Sequence, residues 1–216
     1  VLAFLRGGDA ADFRESMETI RENYPPAAFY SLMNFLGTHD TPRILTVLGA
    51  DHVPETREAR AAFRLSPDQR AKGVALVRLA ALILFTFPGS PTIFYGDEAG
   101  MEGFEDPFNR GTYPWGHEDR ELLGHFARLG TLRRSRSALQ KGTLSWIAAN
   151  GPLLAFARED AEGRLVTVVN ADRAEQRLSL PWSGDTATDL LSGQEFFPEA
   201  GVLTLCIPPR GGFLLG

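Results

Sequence analysis

A cluster of ionisable residues follows an apolar run in the stretch SLMNFLGTHDTPR, residues 31–43. Neighbouring residues on a strand point to opposite faces, so His39 and Asp40 can reach one pocket only if they lie just past the strand end. Gly37 and Pro42 permit a turn there. Because active sites of α/β sheets and (β/α) barrels lie at the carboxyl ends of strands, this pattern predicts a carboxylate in a binding or catalytic site.

Two other interpretations of this cluster use the same residues. In the first, the role of Asp40 is structural: it caps the next turn and pairs with Arg43. In the second, the His-Asp pair binds a metal in a phosphohydrolase, which requires several more ligands. The chain has four histidines in all, and the other three, His52, His117 and His125, lie in an irregular segment, a loop and a helix without ligand spacing. We therefore predict no metal site and no cofactor.

A second group of acids lies in the stretch YGDEAGMEGFEDPFNR, residues 95–110. A solvated acidic loop is the structural interpretation, and the spacing differs from that of an EF-hand calcium loop. Carboxylates, an arginine and nearby aromatic rings are also the groups that bind sugars, because polar groups fix the hydroxyls and apolar walls face the ring. The acids are Asp97, Glu98, Glu102, Glu105 and Asp106, and the arginine is Arg110.

Composition describes a globular protein of ordinary character. The chain has 216 residues, is 44% hydrophobic and 23% charged, and carries a net charge of −5, which disfavours nucleic acid as a partner. The longest apolar stretch, Val74 to Phe87, contains Arg78 and is too short for a membrane span. We find no signal peptide, and the single cysteine, Cys206, excludes an internal disulfide and favours a reducing, cytoplasmic compartment.

Residues 1–140 alternate between helical and strand-like patterns. Asp9 begins a helix over residues 9–24, and the capping box Ser66-Pro67-x-Gln69 begins another that ends at FPGSP. A third helix covers residues 119–137. The run FYSLMNFLG predicts a strand buried on both faces, TIFYG predicts a second strand, and residues 97–116 form a long loop. This alternation predicts parallel strands joined by helical crossovers.

The period changes after Lys141. Short strand-like runs then recur at roughly 8–12-residue spacing with turn residues between them, a pattern typical of an antiparallel β-sandwich. We therefore predict two domains, residues 1–140 and residues 141–216, and we expect the second to fold independently. Since the chain begins at Val1 within a helical pattern, we also expect it to be part of a longer protein.

Several of these segments together resemble the α-amylase superfamily, glycoside hydrolase family thirteen. NFLGTHDTPR is similar to its last signature region, and LFTFPGSPTIFYGDEAGMEG to its eighth-strand region. EDPFNRGTYPW and RELLGHFARLGTLRRSRSAL resemble its closing loop and last barrel helix, most closely in the neopullulanase, cyclomaltodextrinase and maltogenic amylase group. The resemblance implies an α/β fold, the last strands and helices of a TIM (β/α)8 barrel, followed by an all-β antiparallel sandwich.

The resemblance also implies roles for individual residues. Asp40 matches the third catalytic carboxylate, which holds hydroxyls of the ring being cleaved and stabilises the transition state. His39 matches a histidine that binds the same ring. Asp106 and Arg110 match a pair that binds the neighbouring sugar, and Arg43 is expected to support the loop.

The same resemblance implies that two catalytic groups lie outside this chain. In the family, the nucleophile and the general acid come from the fourth and fifth barrel strands, and Val1 would lie shortly after the sixth. We therefore expect part of a retaining hydrolase of α-1,4, and as a second candidate α-1,6, bonds in maltooligosaccharides, cyclodextrins, pullulan or starch. The chain alone is expected to be inactive and to self-associate. A non-catalytic glucan-binding module and a purely structural fragment are the alternatives.

Overall fold

The computed structural model describes residues 1–216, and helices dominate its first two thirds. The helices are α1 (Leu2–Leu5), α2 (Ala10–Asn23), α3 (Pro26–Phe29), α4 (Ile44–Gly49), α5 (Arg57–Ala62), α6 (Pro67–Thr86), α7 (Arg120–Ser135) and α8 (Ser137–Lys141). The strands are β1 (Met33–Phe35), β2 (Ser90–Thr92), β3 (Thr143–Asn150), β4 (Leu153–Asp160), β5 (Gly163–Asn170), β6 (Gln176–Pro181), β7 (Ala187–Thr188), β8 (Glu195–Phe196), β9 (Val202–Ile207) and β10 (Gly212–Leu215).

The predicted helix starts are confirmed, because they depend on contacts between near neighbours. The Asp9 side chain accepts a hydrogen bond from the backbone N–H of Ala11 and caps α2. Ser66 and Gln69 form the capping box of α6, each side chain accepting from the backbone N–H of the other. Helix α6 is buried along most of its second half, as its nearly continuous apolar sequence predicts.

Strands β1 and β2 form a two-stranded parallel sheet, in which Met33 is paired with Ser90. Parallel pairing is confirmed, but the predicted strand bounds are wrong. The predicted first strand begins too early, because Phe29 belongs to α3. Pro26 lies in the first turn of α3, where proline is favoured. Strand β2 ends at Thr92, because a turn follows in which the Asp97 N–H donates to the carbonyl of Phe94.

The prediction that β1 is buried on both faces is also wrong for this chain. Met33 is 64% exposed and Phe35 is 51% exposed. Their shared face is open because the sheet has only two strands, with no third element packed over those side chains. Ile93 and Tyr95, just after β2, are exposed as well. Exposed apolar surface of this kind favours association with another chain.

We therefore expect the isolated chain to self-associate through β1 and its surroundings. Light scattering should give a mass above that of one chain, and a Met33→Gln/Phe35→Gln double variant should shift the distribution toward monomer. Phe197→Gln is the matched control, because Phe197 is 68% exposed but lies in the C-terminal β-region. A wild-type chain that stays monomeric would contradict this prediction.

The C-terminal part is antiparallel, as the sequence predicts. Its four-stranded sheet has the order β10-β5-β4-β3, and β6 pairs with β9 in a separate antiparallel sheet. The side chains of one face of the larger sheet and of the β6-β9 pair form a core of 13 buried residues. Leu178, Leu180 and Leu205 lie in this core together with Val166 and Val168.

The opposite face of the larger sheet packs on the helices. A core of 29 buried residues includes Leu82 and Phe85 of α6 together with Leu154, Phe156 and Val169 of the sheet. Separating the β-region from the helices would expose one apolar face of its main sheet, which disfavours the expected independent folding of residues 141–216. The division at residues 140 and 141 stays a prediction.

The buried Arg158 and the partly buried Arg133 supply donors around the C-terminal end of α6. Arg158 of β4 donates to the carbonyl oxygens of Gly142 and Thr86, and Arg133 of α7 donates to those of Phe85, Phe87 and Gly89. Thr86 is the last residue of α6, and carbonyls at helix C-termini lack intrahelical partners. The guanidinium groups therefore supply donors where the helix leaves acceptors unsatisfied.

None of the helices is long and apolar enough to cross a membrane.

Candidate functional site

The candidate site begins where the chain leaves β1. Thr38 and Thr41 close a tight polar turn: the Thr41 N–H donates to the Thr38 carbonyl at 3.3 Å, and the Thr38 N–H donates to Thr41 Oγ1 at 2.9 Å. Asp40 N–H donates to Thr38 Oγ1 at 3.2 Å. The turn presents the side chains of His39 and Asp40 to solvent, with 68% and 71% of their surfaces exposed.

The four residues predicted to bind or act on a sugar lie together. His39 Nε2 is 3.3 Å from Asp40 Oδ2, and Arg110 Nη2 is 3.5 Å from Asp40 Oδ1. Arg110 Nε is 3.4 Å from Asp106 Oδ1. Arg110 is thus placed between two carboxylates, and all four side chains remain accessible from the same open surface.

The structural interpretation of Asp40 is not supported. Arg43 does not contact Asp40; it is 1% exposed and its Nη1 lies 3.2 Å from Asp97 Oδ1. Its Nε donates to the carbonyl of Asn109 at 2.7 Å, and its guanidinium lies 4.2 Å from the Phe94 ring centroid. Helix α4 begins after Arg43 with no side-chain cap, so Asp40 does not cap it. Arg43 supports the 97–116 loop, as expected.

Asn109 is a positioning residue that the sequence analysis missed. It is fully buried, and its Nδ2 donates to the carbonyls of His39 and Thr41, each at 2.8 Å. Arg110 Nε donates to the same His39 carbonyl at 3.0 Å. The loop that carries Arg110 is therefore bonded directly to the turn that carries Asp40. An asparagine in a loop is common, so only its neighbours in DPFNR could have drawn attention to it.

Two further acids of the loop have structural partners. Glu102 accepts from the Leu65 N–H and from Arg70, and Glu105 pairs with Arg60. The interpretation of a wholly solvated acidic loop is therefore wrong for Glu102, whose side chain is 16% exposed. No group of three or more metal-ligating side chains converges in the structure.

Asp97 is the buried acid beneath the site. It is 3% exposed, and a Cβ on Gly37 would lie 2.8 Å from its Oδ2, so Gly37 permits this close approach. Burial raises the pKa of Asp97 from 3.8 to about 6, because the paired guanidinium of Arg43 only partly offsets the loss of solvation.

A second buried titratable group lies on α7, where burial lowers the pKa of His125 from 6.5 to about 4.

These two groups predict opposite effects of pH on stability. Between about pH 4 and 6 the native state retains a proton on Asp97 that the unfolded chain has lost, so this group's contribution to the free energy of unfolding falls as pH rises. Between about pH 4 and 6.5 the unfolded chain protonates His125 and the native state does not, so its contribution rises with pH.

Urea unfolding from pH 4 to 7 tests both contributions. Asp97→Asn should make stability rise more steeply with pH than in the wild type, and His125→Gln should make it rise less steeply or fall. The remaining carboxylates contribute alike to all three proteins, so the differences in slope report these two residues. Equal slopes for the wild type and Asp97→Asn would show that the burial of Asp97 does not perturb its titration.

The exposed cluster offers hydrogen-bonding groups in a form suited to polyhydroxylated molecules. Asp40 and Asp106 provide acceptors, Arg110 provides donors between them, and His39 provides a ring nitrogen. A carboxylate can accept from two neighbouring hydroxyls, and a guanidinium can donate to two. The site is open to solvent, and the buried side chains of Arg43 and Asn109 hold together the turn and the loop that form it.

Comparison with known proteins gives matches over most of the chain. Residues 147–214 match the family described as Maltogenic Amylase, C-terminal domain. Amylopullulanase of Thermoanaerobacter thermohydrosulfuricus is 35% identical over 96% of this chain, which corresponds to 15% of the amylopullulanase. Neopullulanase 2 of Thermoactinomyces vulgaris is 32% identical over 100% of this chain and 34% of its own length.

Solved structures agree with these matches. A cyclomaltodextrinase superposes with a TM-score of 0.81 at 25% identity, covering 100% of this chain and 35% of its own. The debranching enzyme from Nostoc punctiforme gives a TM-score of 0.78 at 25% identity, over 100% of this chain and 45% of its own. The chain thus spans 15% to 34% of the length of the two curated relatives above.

Proposed function

Because this chain belongs to the α-amylase superfamily of glycoside hydrolases, we propose that it is one part of a retaining enzyme that cleaves α-1,4 glucosidic bonds, with α-1,6 bonds as a second target. The observation that carries the proposal is the cluster of His39, Asp40, Asp106 and Arg110 at the carboxyl end of β1. Since the chain spans only part of its relatives, the activity is that of a longer protein.

We propose that β1 and β2 are neighbouring strands of a (β/α)8 barrel. Their parallel pairing and the long helix α6 between them support this assignment. So does the position of the polar cluster, because barrel enzymes build their sites from the loops at the carboxyl ends of the strands. Residues 141–216 are then the β-sandwich that follows the barrel, and α6 is the helix against which it packs.

In this proposal Asp40 stabilises the transition state without forming a covalent bond. Its oxygens accept from hydroxyls of the ring being cleaved, and these contacts strengthen as the ring distorts toward an oxocarbenium ion. His39, 3.3 Å from Asp40, binds the same ring. Asp106 and Arg110 bind the adjacent sugar. Retention also requires a nucleophile and a general acid about 5–5.5 Å apart, which we assign to residues outside this chain.

Relatives with names such as amylopullulanase, cyclomaltodextrinase and neopullulanase support an α-glucan as the substrate. Within that class, the open cluster holds hydroxyls and does not distinguish starch, pullulan, cyclodextrins or maltooligosaccharides. The proposed substrate class is therefore the α-glucans as a whole.

Arg110→Ala in the longer protein tests the sugar-binding role. Loss of a guanidinium that binds hydroxyls should raise KM for short maltooligosaccharides by about tenfold with a smaller change in kcat. Arg177→Ala is the control, because Arg177 is exposed on β6, away from the site. If Arg110→Ala changes thermal stability but leaves KM unchanged, Arg110 only holds the loop to the His39 carbonyl.

An assay of the isolated chain provides a second test of the proposed function. It should show no turnover of maltooligosaccharides above buffer, because Asp40 cannot serve at once as nucleophile, acid and stabiliser. Measurable turnover by the 216-residue chain would overturn the assignment of the two other catalytic groups to residues outside it.

A further inference from the structure

An exposed aromatic pair lies on the same loop as Arg110 and has no role in the proposal so far. Trp115 is 80% exposed, the largest fraction among the large apolar side chains of the chain. Its ring centroid is 4.6 Å from that of Tyr113, with the two planes 50° apart. Two tilted aromatic rings in contact, one of them mostly in solvent, form an apolar surface that the fold itself does not cover.

The backbone holds this pair in a defined position. The Trp115 N–H donates to the Tyr113 carbonyl at 2.9 Å, which closes a three-residue turn. Gly116 follows with φ of +78°, and its N–H donates to Glu118 Oε1 at 3.0 Å. On the other side, the Tyr95 hydroxyl donates to the Gly111 carbonyl at 2.8 Å and anchors the segment next to Arg110.

The indole N–H of Trp115 differs from those of the other tryptophans. Trp146 Nε1 donates to Glu18 Oε1 at 2.7 Å, and Trp182 Nε1 donates to the Thr186 carbonyl at 2.9 Å. Trp115 Nε1 has no acceptor within the chain. Trp115 therefore presents both an apolar ring face and a free donor. A pyranose ring matches this combination, because it has an apolar C–H face and hydroxyls around its edge.

We propose that Tyr113 and Trp115 form a stacking platform for a glucose unit of the α-glucan, beyond the unit bound by Asp106 and Arg110. This inference rests on the proposed function. Trp115 is five residues from Arg110, so an extended segment would separate them by at most roughly 18 Å, and the turn shortens that distance. The platform therefore acts on oligosaccharides long enough to reach past the Arg110 unit.

Charge around the platform favours a polar ligand over a protein partner. The residues that follow Trp115 are His117, Glu118, Asp119 and Arg120, and Glu98 lies beside Tyr113. A hydrophobic protein interface excludes such a density of charge from its core. The apolar face at Met33 and Phe35, which we expect to associate, lies on β1, outside the loop that carries this pair.

Titration of the ¹⁵N-labelled chain with maltose and maltohexaose, followed through the three indole N–H signals in NMR spectra, tests the platform. Maltohexaose should shift the Trp115 signal, while those of Trp146 and Trp182 stay in place. Trp115→Ala should weaken maltohexaose binding by about tenfold and leave binding of maltose, which spans only the Asp40 and Arg110 units, unchanged. Trp115→Phe should restore most of the affinity, and Trp182→Phe serves as the matched control.

The outcomes separate this inference from the function on which it rests. If Trp115→Ala binds maltohexaose like the wild type while Arg110→Ala binds it more weakly, the platform is refuted and the proposed function stands. If the wild-type chain binds neither sugar, the platform is refuted, and the KM of Arg110→Ala in the longer protein decides the proposed function separately. A Trp115 signal that shifts with protein concentration and not with sugar would identify a self-association surface and overturn the platform.

Discussion

Replacing Asp40 by asparagine is expected to lower kcat of the longer protein, in the proposed cleavage of α-glucans, by about 10²–10⁴-fold, with little change in ground-state binding. Contacts to sugar hydroxyls that strengthen in the transition state supply several kcal/mol, and each 1.36 kcal/mol corresponds to a factor of about ten in rate. Asparagine has the same size but lacks the negative charge that stabilises a developing oxocarbenium ion.

The surroundings of Asp40 make this variant informative. Its side chain is 71% exposed and has only long contacts to His39 and Arg110, so the substitution should leave the stability of the fold nearly unchanged. Asp185→Asn is the matched control, since Asp185 is an exposed acid in the C-terminal β-region. A kcat within a few-fold of the wild type would remove Asp40 from the catalytic machinery.

The second large effect is expected at Arg158. This side chain is fully buried and donates to the Gly142 carbonyl at 3.1 and 2.9 Å and to the Thr86 carbonyl at 2.8 Å. Burial, and then the neighbouring Arg133, lower the pKa of Arg158 to about 10, so the guanidinium remains charged at neutral pH. Arg158→Met leaves two buried carbonyls without donors and should lower the free energy of unfolding by about 3 kcal/mol or more.

Urea unfolding of the chain, followed by circular dichroism and by tryptophan fluorescence, measures this effect. Arg164→Met is the control on the same sheet. Arg164 is exposed, and its contact with Glu159 is weak because the two side chains come no closer than 4.0 Å. We also expect the two probes to report one transition in the wild type, since the 29-residue core spans the helices and the sheet. A change below about 0.5 kcal/mol for Arg158→Met would mean that water satisfies both carbonyls.

Features set by near neighbours could be predicted from the sequence. The capping box of Ser66 and Gln69, the cap at Asp9 and the antiparallel strands after Lys141 all follow from local side-chain chemistry and periodicity. The proximity of Asp40 to Arg110 came from the resemblance of two separate segments to one family, because no local rule relates residues 70 positions apart. The structure places them 3.5 Å apart.

Only the tertiary structure decided the features that depend on contacts between distant segments. Asp97 and Glu102 look like solvated loop acids in the sequence, yet each is withdrawn from solvent by an arginine from another element. Arg158 looks like the polar end of a strand, yet it is buried because its sheet packs on α6. Met33 looks like a core residue, yet it is exposed because a strand is buried only if neighbouring elements cover it. Burial is set by the segments that meet at a residue, so local sequence determines helices and caps while packing determines which charges are buried.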